Sequence, residues 1–473
     1  MRLYKIDALS LWLDESFTYY ATKLPFDNLM SFEADINHPP IYYMLQKFFL
    51  QLGSSEFNLR IGSALFGSLS ILLVHLIGRK FVNPLCGLVA AAIIATSSTQ
   101  IEYSQEARSY ALLFLELSIA SYGFIGFIVS AMDKGMFKTS DLNKIKYLAI
   151  YFIGALTALY THNITVYYWL IFNIIAIIFY RPWKQISDAS LIEWILLNGA
   201  LFILWLPWSF YIIRGVNTFS WLEQYTLKKA FSKFLDVQGF AYIKSLQSAF
   251  NIFVLLCALA GTIIAFFRKK YVIGIFILST LILVPCLIWL TGFVKPVFMT
   301  RTIIFSGIGS ALAIGITVVF LRNRYIALTI ISAILLINFI SAFNYYQNHK
   351  KEEWRSATKY LENVISKDDA VLLCANYMYF PFRYYYKNDI NMYGWFGDKK
   401  IVMELSDSAH YFAANNPMEV TNLNKLFNKI WIIKSHCQET DWDALGRELD
   451  KAGWQEVQRK DFYRIELIIY KFD

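Results

Sequence analysis

Charge is scarce in this chain. Only 17% of its 473 residues are charged, against about a quarter in a soluble domain. With a hydrophobic fraction of 57% and a mean hydropathy of +0.42, that scarcity excludes an ordinary soluble protein. Cysteine is sparse too, with five in all. Cys86, Cys257 and Cys286 lie in apolar runs and read as inert packing residues. Cys374 and Cys437 lie in the polar C-terminal third and show no metal-ligand spacing. No cleavable signal peptide is visible, because the opening "MRLYKIDALSLWLDES" lacks an apolar core of the needed length. No internal repeat is visible. Acids are outnumbered, 35 against 44 Lys and Arg, for a net charge of +9. In a membrane protein Lys and Arg first report topology, so this excess does not indicate nucleic-acid binding.

Long apolar runs and aromatics are what the chain has. A membrane-spanning helix needs roughly 20 mostly apolar residues. Such runs lie near 59–80, 84–101, 107–130, 147–161, 163–180, 191–213, 249–267, 271–291, 302–321 and 325–343. The aromatic share of 18% suits many membrane–water interfaces. The expected fold is an all-α polytopic membrane bundle of about ten helices over 59–343. Residues 1–58 form a loop with an acidic pair and a juxtamembrane helix, and 344–473 a small C-terminal α/β domain.

Basic residues fall on every second short connection: Arg79 and Lys80, then Lys134, Lys138, Lys144 and Lys146, then Arg181 and Lys184, then Arg268, Lys269 and Lys270, then Arg322 and Arg324. By the positive-inside rule these connections face the cytoplasm. The expected setting is the plasma membrane, with 1–58, the 99–106 turn, "THN" at 161–163, the 214–248 loop, 292–301 and the tail outside. No span precedes the first of these. The expectation is that a helix normally placed before "LWLDE" is missing, the alternative being an N-terminus translocated unaided.

In the tail, "WRSATKYLENVIS" (354–366) reads as an amphipathic helix, and "AVLLCA" (370–375) and "KIWIIKS" (429–435) as buried strands. "WDALGRELDKAG" (442–453) reads as a helix stopped by Gly, and "RIELIIYKF" (464–472) as a strand. Cys374 and Cys437 each follow an apolar strand. Two free thiols are expected, with pairing in an oxidising compartment as the alternative.

The chemistry-bearing residues stand in polar islands between the runs. Asp14 and Glu15 sit in "LWLDESFTYY", His38 in "NHPP", and Glu106, Arg108 and Tyr110 in "IEYSQEARSY". His162 sits in "THN", and Lys295 and Arg301 in "KPVFMTR". All five islands are assigned to one membrane face, where a bundle can gather them into one cavity. Each has a plainer reading. An acid at a helix N-terminus is common. His38 before two prolines shapes a helix entry, Arg108 and Arg301 are interfacial anchors, and His162 is a solvated turn residue. Glu116 falls about two turns inside the 107–130 helix, where an acid is costly and usually paired. An Arg or Lys of a neighbouring helix is its expected partner.

Sugar transfer from a lipid phosphate to a hydroxyl needs this set. The acceptor loses a proton as it attacks the anomeric carbon, so one carboxylate serves as base. The leaving phosphate needs cations, not a second acid. A glycosidase would want two carboxylates flanking the bond.

"LWLDESFTYYATK", "NHPPIYYMLQKFFLQLGSSEFNLRIGSALFGSLSI", "SQEARSYALL" and "KPVFMTR", in this order, resemble the membrane glycosyltransferases of the GT-C fold. Within them the chain is similar to the family-39-like enzymes related to protein O-mannosyltransferases and to the lipid A aminoarabinose transferase. The resemblance covers about 9–343, and the tail is similar to their extracytoplasmic C-terminal domains. It implies a polyprenyl-phosphate sugar donor, an inverting single displacement, and a glycan, lipid or protein acceptor. The base maps to Asp14, with Glu15 as its neighbour. His38 maps to the donor cavity, together with Glu106, Tyr110 and His162. Arg108, Lys295 and Arg301 map to segments facing the donor phosphate. The family often has Tyr after the last arginine, where Thr302 stands here. Some relatives bind a divalent metal. Asp14, Glu15 and His38 are candidate ligands, though no spacing demands one. The competing readings are a transporter or flippase of a lipid-linked glycan, and a non-catalytic relative that binds one. Transporters tend to place charges near the bilayer midplane and to carry repeats, neither of which is seen here.

Overall fold

The computed structural model describes residues 1–30, 38–132, 139–180, 186–214, 223–238, 247–408 and 411–472. Lys134, Lys138, Arg181 and Lys184, on which the alternation of basic loops partly rests, lie outside the described residues, as does Asn37. The chain divides into two compact units. One holds Met1–Tyr4, Met30–Phe49 and Arg60–His349, and the other Lys5–Leu29, Leu50–Leu59 and Lys350–Asp473.

The first unit is a helical bundle. Among the described residues, seven helices are long and apolar enough to cross a membrane: Glu56–Phe81, Tyr110–Met132, Leu142–Leu159, Asp188–Ile212, Gln247–Phe267, Tyr271–Thr291 and Arg324–Asn348. The pair Pro84–Thr96 and Ser98–Ser104, bent by 63°, makes an eighth if counted as one span. Thr165–Tyr180 and Ser306–Phe320 are shorter apolar helices. Each of the ten apolar runs thus contains a helix or a helix pair. In lipid every backbone group must be satisfied within the chain, and these runs do so as helices. The chain is a multi-pass membrane protein.

Tyr110–Met132 is apolar all round and buried along most of its length, as a bundle-centre helix should be. It meets Thr139–Leu159 through glycines. A Cβ on Gly123 would stand 2.3 Å from the Tyr151 backbone nitrogen, and one on Gly154 2.5 Å from that of Ala120. Small residues replace the hydrophobic drive that lipid removes. Buried amides add specific contacts. Asn198 Oδ1 accepts from Tyr151 Oη at 3.0 Å and Trp169 Nε1 at 2.7 Å.

The bend at Ser97 frees carbonyls that a continuous helix would have used. Arg2 takes them. Its guanidinium donates to Ile94 O at 3.1 Å, Ala95 O at 3.4 Å and Ser104 Oγ at 3.1 Å. Burial pushes its pKa down to about 10. In Tyr271–Thr291, Pro285 cannot donate to the helical ladder, and the turn before it, Ser279–Leu283, widens to a π-helix.

The second unit is a two-sided α/β fold. Its seven strands are β1 Ala370–Leu373, β2 Asn391–Phe396, β3 Ile401–Ser408, β4 Tyr411–Met418, β5 Lys429–Lys434, β6 Trp454–Phe462 and β7 Ile465–Phe472. They lie in the order β4-β3-β2-β1-β5-β7-β6. The central β1 runs parallel to β2 and β5, and the outer pairings are antiparallel. Because side chains alternate along a strand, Val371, Leu373, Trp431 and Ile433 face one core with Trp354 and Leu361 of helix Trp354–Val364. Leu372, Ile430 and Ile432 face the other, with Leu445 and Leu449 of helix Glu439–Lys451. The helix Leu13–Lys23 packs Leu13, Phe17 and Tyr20 against the first core. Cys374 and Cys437 form a disulfide, Cα–Cα 5.7 Å, against the expectation of free thiols. The β-sheet brings the ends of β1 and β5, which are 63 residues apart at the cysteines, side by side. Cys286 is exposed, not a packing residue.

Candidate active site

In the bundle, polar residues from separate loops come together. His38 lies just before helix Ile41–Leu50, with Pro39 and Pro40 between them. Arg108 sits in the turn between Ser98–Ser104 and Tyr110–Met132, which is tightened by a 2.8 Å contact from its N–H to Glu106 O. The Arg108 guanidinium lies 3.4 Å from His38 Nε2. A guanidinium only donates, so Nε2 is the acceptor in this pair. The His38 ring meets His162 edge-on at 5.4 Å, and His162 meets Tyr110 at 5.5 Å. Arg301 lies over Tyr110, 5.8 Å from the ring centre. Tyr110 in turn meets Tyr103 at 5.4 Å.

Carboxylates balance part of this charge. Glu102, Glu106, Arg301 and Tyr110 all act electrostatically on Tyr103, and Glu102, Glu106 and Arg60 on Tyr345. Arg60, Glu106, Arg108 and His162 are buried, and Arg301 and His38 half-buried. Charges taken from water in this number must neutralise one another or a ligand. Among the described residues the guanidiniums of Arg108 and Arg301 stand with the His38 and His162 rings about Tyr110, a donor-rich set suited to an anion.

The turns are held locally. Thr302 Oγ1 accepts from Met299 N and donates to Val297 O, closing the turn Thr300–Thr302 that carries Arg301. The "THN" turn is pinned at all three residues. Thr161 donates to Glu116 Oε1 at 3.0 Å, His162 Nδ1 accepts from Ile164 N at 3.1 Å, and Asn163 Oδ1 accepts from Trp208 Nε1 at 2.7 Å. His162 is therefore a buried, oriented group and not a solvated one. Glu116 is also corrected, since the partner found is Thr161, not a cation. Lys295 stands half-buried four residues beyond Thr291, and burial lowers its pKa below the ordinary lysine value.

Asp14 and Glu15 belong to the other unit, in the first turn of Leu13–Lys23. Glu15 is fully buried and pairs with Lys351 Nζ at 3.0 Å, while Asp14 is half-buried. The next residue, Glu352, accepts from Trp354 Nε1 at 2.9 Å and pairs with His436 Nε2 at 2.6 Å. The bond to Glu352 raises the His436 pKa, and Asp14 also raises it through space.

Sequence reasoning missed Arg60, Glu102, Tyr103 and Tyr345 as members of the bundle cluster. Arg60 had a signal, a lone arginine one turn inside an apolar helix. Glu102 and Tyr103 lay in the quoted "IEYSQEARSY" but had no distinguishing neighbour. Among the described residues no three of His, Cys, Asp or Glu stand together as a metal-ligand set.

A family model described as dolichyl-phosphate-mannose-protein mannosyltransferase matches residues 37–211. No curated protein matches the chain by sequence. Among solved structures, ArnT from Cupriavidus metallidurans in the apo state has a TM-score of 0.61 at 11% identity, covering 99% of this chain and 95% of its own. ArnT from the same organism bound to undecaprenyl phosphate scores 0.59 at 10% identity over the same shares. The oligosaccharyltransferase of Archaeoglobus fulgidus in the apo form scores 0.55 at 12% identity, covering 94% of this chain and 69% of its own. The chain thus has the GT-C fold, a polytopic helical bundle with a C-terminal α/β domain, and over 37–211 it resembles the mannosyltransferase family.

Proposed function

We propose that this chain is an integral-membrane glycosyltransferase that moves a sugar from a polyprenyl-phosphate donor to an acceptor hydroxyl on the extracytoplasmic face of the plasma membrane. The observation that carries the reading is the gathering of buried Arg108, His162 and Tyr110 with half-buried His38 and Arg301 from four separate segments of the bundle. Its guanidinium donors suit a phosphate ester whose tail stays in lipid. The undecaprenyl phosphate bound by ArnT supports that donor class.

In the reaction the acceptor oxygen attacks the anomeric carbon and Asp14 takes its proton. The bond from that carbon to the phosphate oxygen breaks on the opposite face, so the configuration inverts. The released phosphate charge falls to Arg108 and Arg301, with Lys295 as a further cation on the same loop as Arg301. His38, Glu106, Tyr110 and His162 orient these cations and line the donor site. Asp14 is half-buried in the first turn of its helix, where Glu15 is fully buried, which suits a group that must exchange a proton. The Cys374–Cys437 disulfide supports an oxidising compartment for its unit.

The test uses the donor that accumulates in a strain lacking the gene, extracted as polyprenyl-phosphate sugar and supplied to membranes. Asp14→Asn should abolish transfer while donor binding persists. Undiminished transfer by Asp14→Asn removes the base, and donor crossing vesicles with no new glycosidic bond replaces the enzyme with a transporter.

A further inference from the structure

Glu15 is fully buried and its carboxylate is neutralised by Lys351 Nζ at 3.0 Å. A group so enclosed is not placed to take a proton from an incoming hydroxyl. It is placed to fix a helix. Successive helix residues point about 100° apart, so holding one inward sets the direction of the next. Glu15 follows Asp14 directly.

Lys351 is one half of a two-pronged anchor. Glu352, also buried, grips His436 at 2.6 Å, beside the disulfide at Cys437. Two adjacent residues of opposite charge thus hold two segments of one unit: the first turn of Leu13–Lys23 and the loop after β5. The chain leading into that helix is held as well. Leu11 N donates to Tyr385 Oη at 2.7 Å, and the Arg355 guanidinium donates to Asp7 O at 3.0 Å.

We infer that Lys351 is a positioning residue for Asp14, acting through the buried Glu15, and that Glu15 serves the reaction only through this pair. The inference rests on the reading of Asp14 as the base. A displacement near 1 Å at a reacting group costs on the order of 100-fold in rate. Loss of the pair should therefore lower the turnover number by at least about tenfold and leave the KM for donor within about twofold.

The experiment compares Lys351→Met, Lys351→Arg, Glu15→Gln and the charge swap Glu15→Lys with Lys351→Glu. Each is measured in membranes with the extracted polyprenyl-phosphate sugar. Disulfide-protected Cys374 and Cys437 serve as the folding control. Lys351→Met and Glu15→Gln should lose turnover, and Lys351→Arg and the swap should recover most of it. A folded swap as inactive as Glu15→Gln would mean that the Glu15 carboxylate itself is needed, which overturns the inference. So would wild-type turnover in Lys351→Met. If Lys351→Met fails to accumulate, the swap decides alone. Asp14→Asn is run in parallel. Transfer by that variant sinks the reading of the base, whereas an inactive Asp14→Asn beside a fully active Lys351→Met sinks only the present inference.

Discussion

The hydroxyl of Thr302 accepts the backbone N–H of Met299 at 2.9 Å, and the turn it closes is the one that carries Arg301. Thr302, which stands where the enzymes the sequence resembles often have Tyr, thus has a local task. Thr302→Val keeps the volume and removes the oxygen. It should lower transfer by about tenfold through a looser Arg301, and Thr302→Ser should restore it. Initial rates with extracted donor check this. Equal rates for the Val and Ser variants would show that the turn holds without the hydroxyl.

Arg108 is buried and points a guanidinium at His38. If it stabilises the leaving phosphate, Arg108→Gln should cost about 100-fold in turnover, the scale of losing one charge-stabilising donor. Arg108→Lys should recover little, because an ammonium cannot reproduce the planar fork. Near-normal rates in both variants would reduce Arg108 to an interfacial anchor.

Glu116 supplies one oxygen to Thr161 inside the bundle. Glu116→Gln retains an acceptor there and should leave stability close to that of wild type. Glu116→Leu leaves the Thr161 hydroxyl without it, at a cost of about 1–3 kcal/mol. Thermal unfolding in detergent separates the two, and a Gln variant as unstable as the Leu variant would show that the negative charge is required.

His436 gives a pH dependence. The folded protein favours its protonated form through Glu352, so the pKa lies above the ordinary 6.5. The pair contributes its full stability below pH 6.5, and that contribution fades as the pH rises through the raised value. His436→Gln should therefore lower the melting temperature at pH 6 and make much less difference at pH 9, at about the intervals that bracket the titration. A penalty independent of pH would mean that His436 packs without carrying charge.

The disulfide joins residues 63 apart. Closing a loop of that length is worth about 4 kcal/mol in the chain-entropy account. Cys437→Ser should lower the unfolding temperature of the C-terminal unit. A thiol-reactive mass tag should meet Cys286 alone in the folded oxidised protein, because Cys86 and Cys257 are buried. Labelling of Cys374 without reductant would remove the bridge.

Much of the architecture was legible because the forces behind it are local. Each apolar run is long enough to satisfy its own backbone as a helix, and that property needs no partner. Five tail segments were read correctly: β1, β5 and β7 are short apolar runs buried on both faces, and the helices Trp354–Val364 and Glu439–Lys451 bury one face at helical spacing. By contrast β2, β3, β4, β6 and the helix Tyr379–Tyr385 were missed. β6 carries exposed polar residues along most of its length, and such a strand shows no burial period to read.

The candidate site divides in the same way. His38, Arg108, His162 and Arg301 stood out as polar residues between apolar runs, a contrast visible along the chain itself. Their grouping around Tyr110 was not visible, since it depends on where the helices cross. The opening acidic pair shows the limit plainly. Composition and order marked Asp14 and Glu15 alike. Only folding separated them, because Lys351, 336 residues away, arrives beside Glu15, which is fully buried while Asp14 is half-buried. Hydropathy is a property of neighbours in sequence and so determined the membrane bundle. Burial of a charge depends on which distant residue arrives beside it, and that was decided by the tertiary structure.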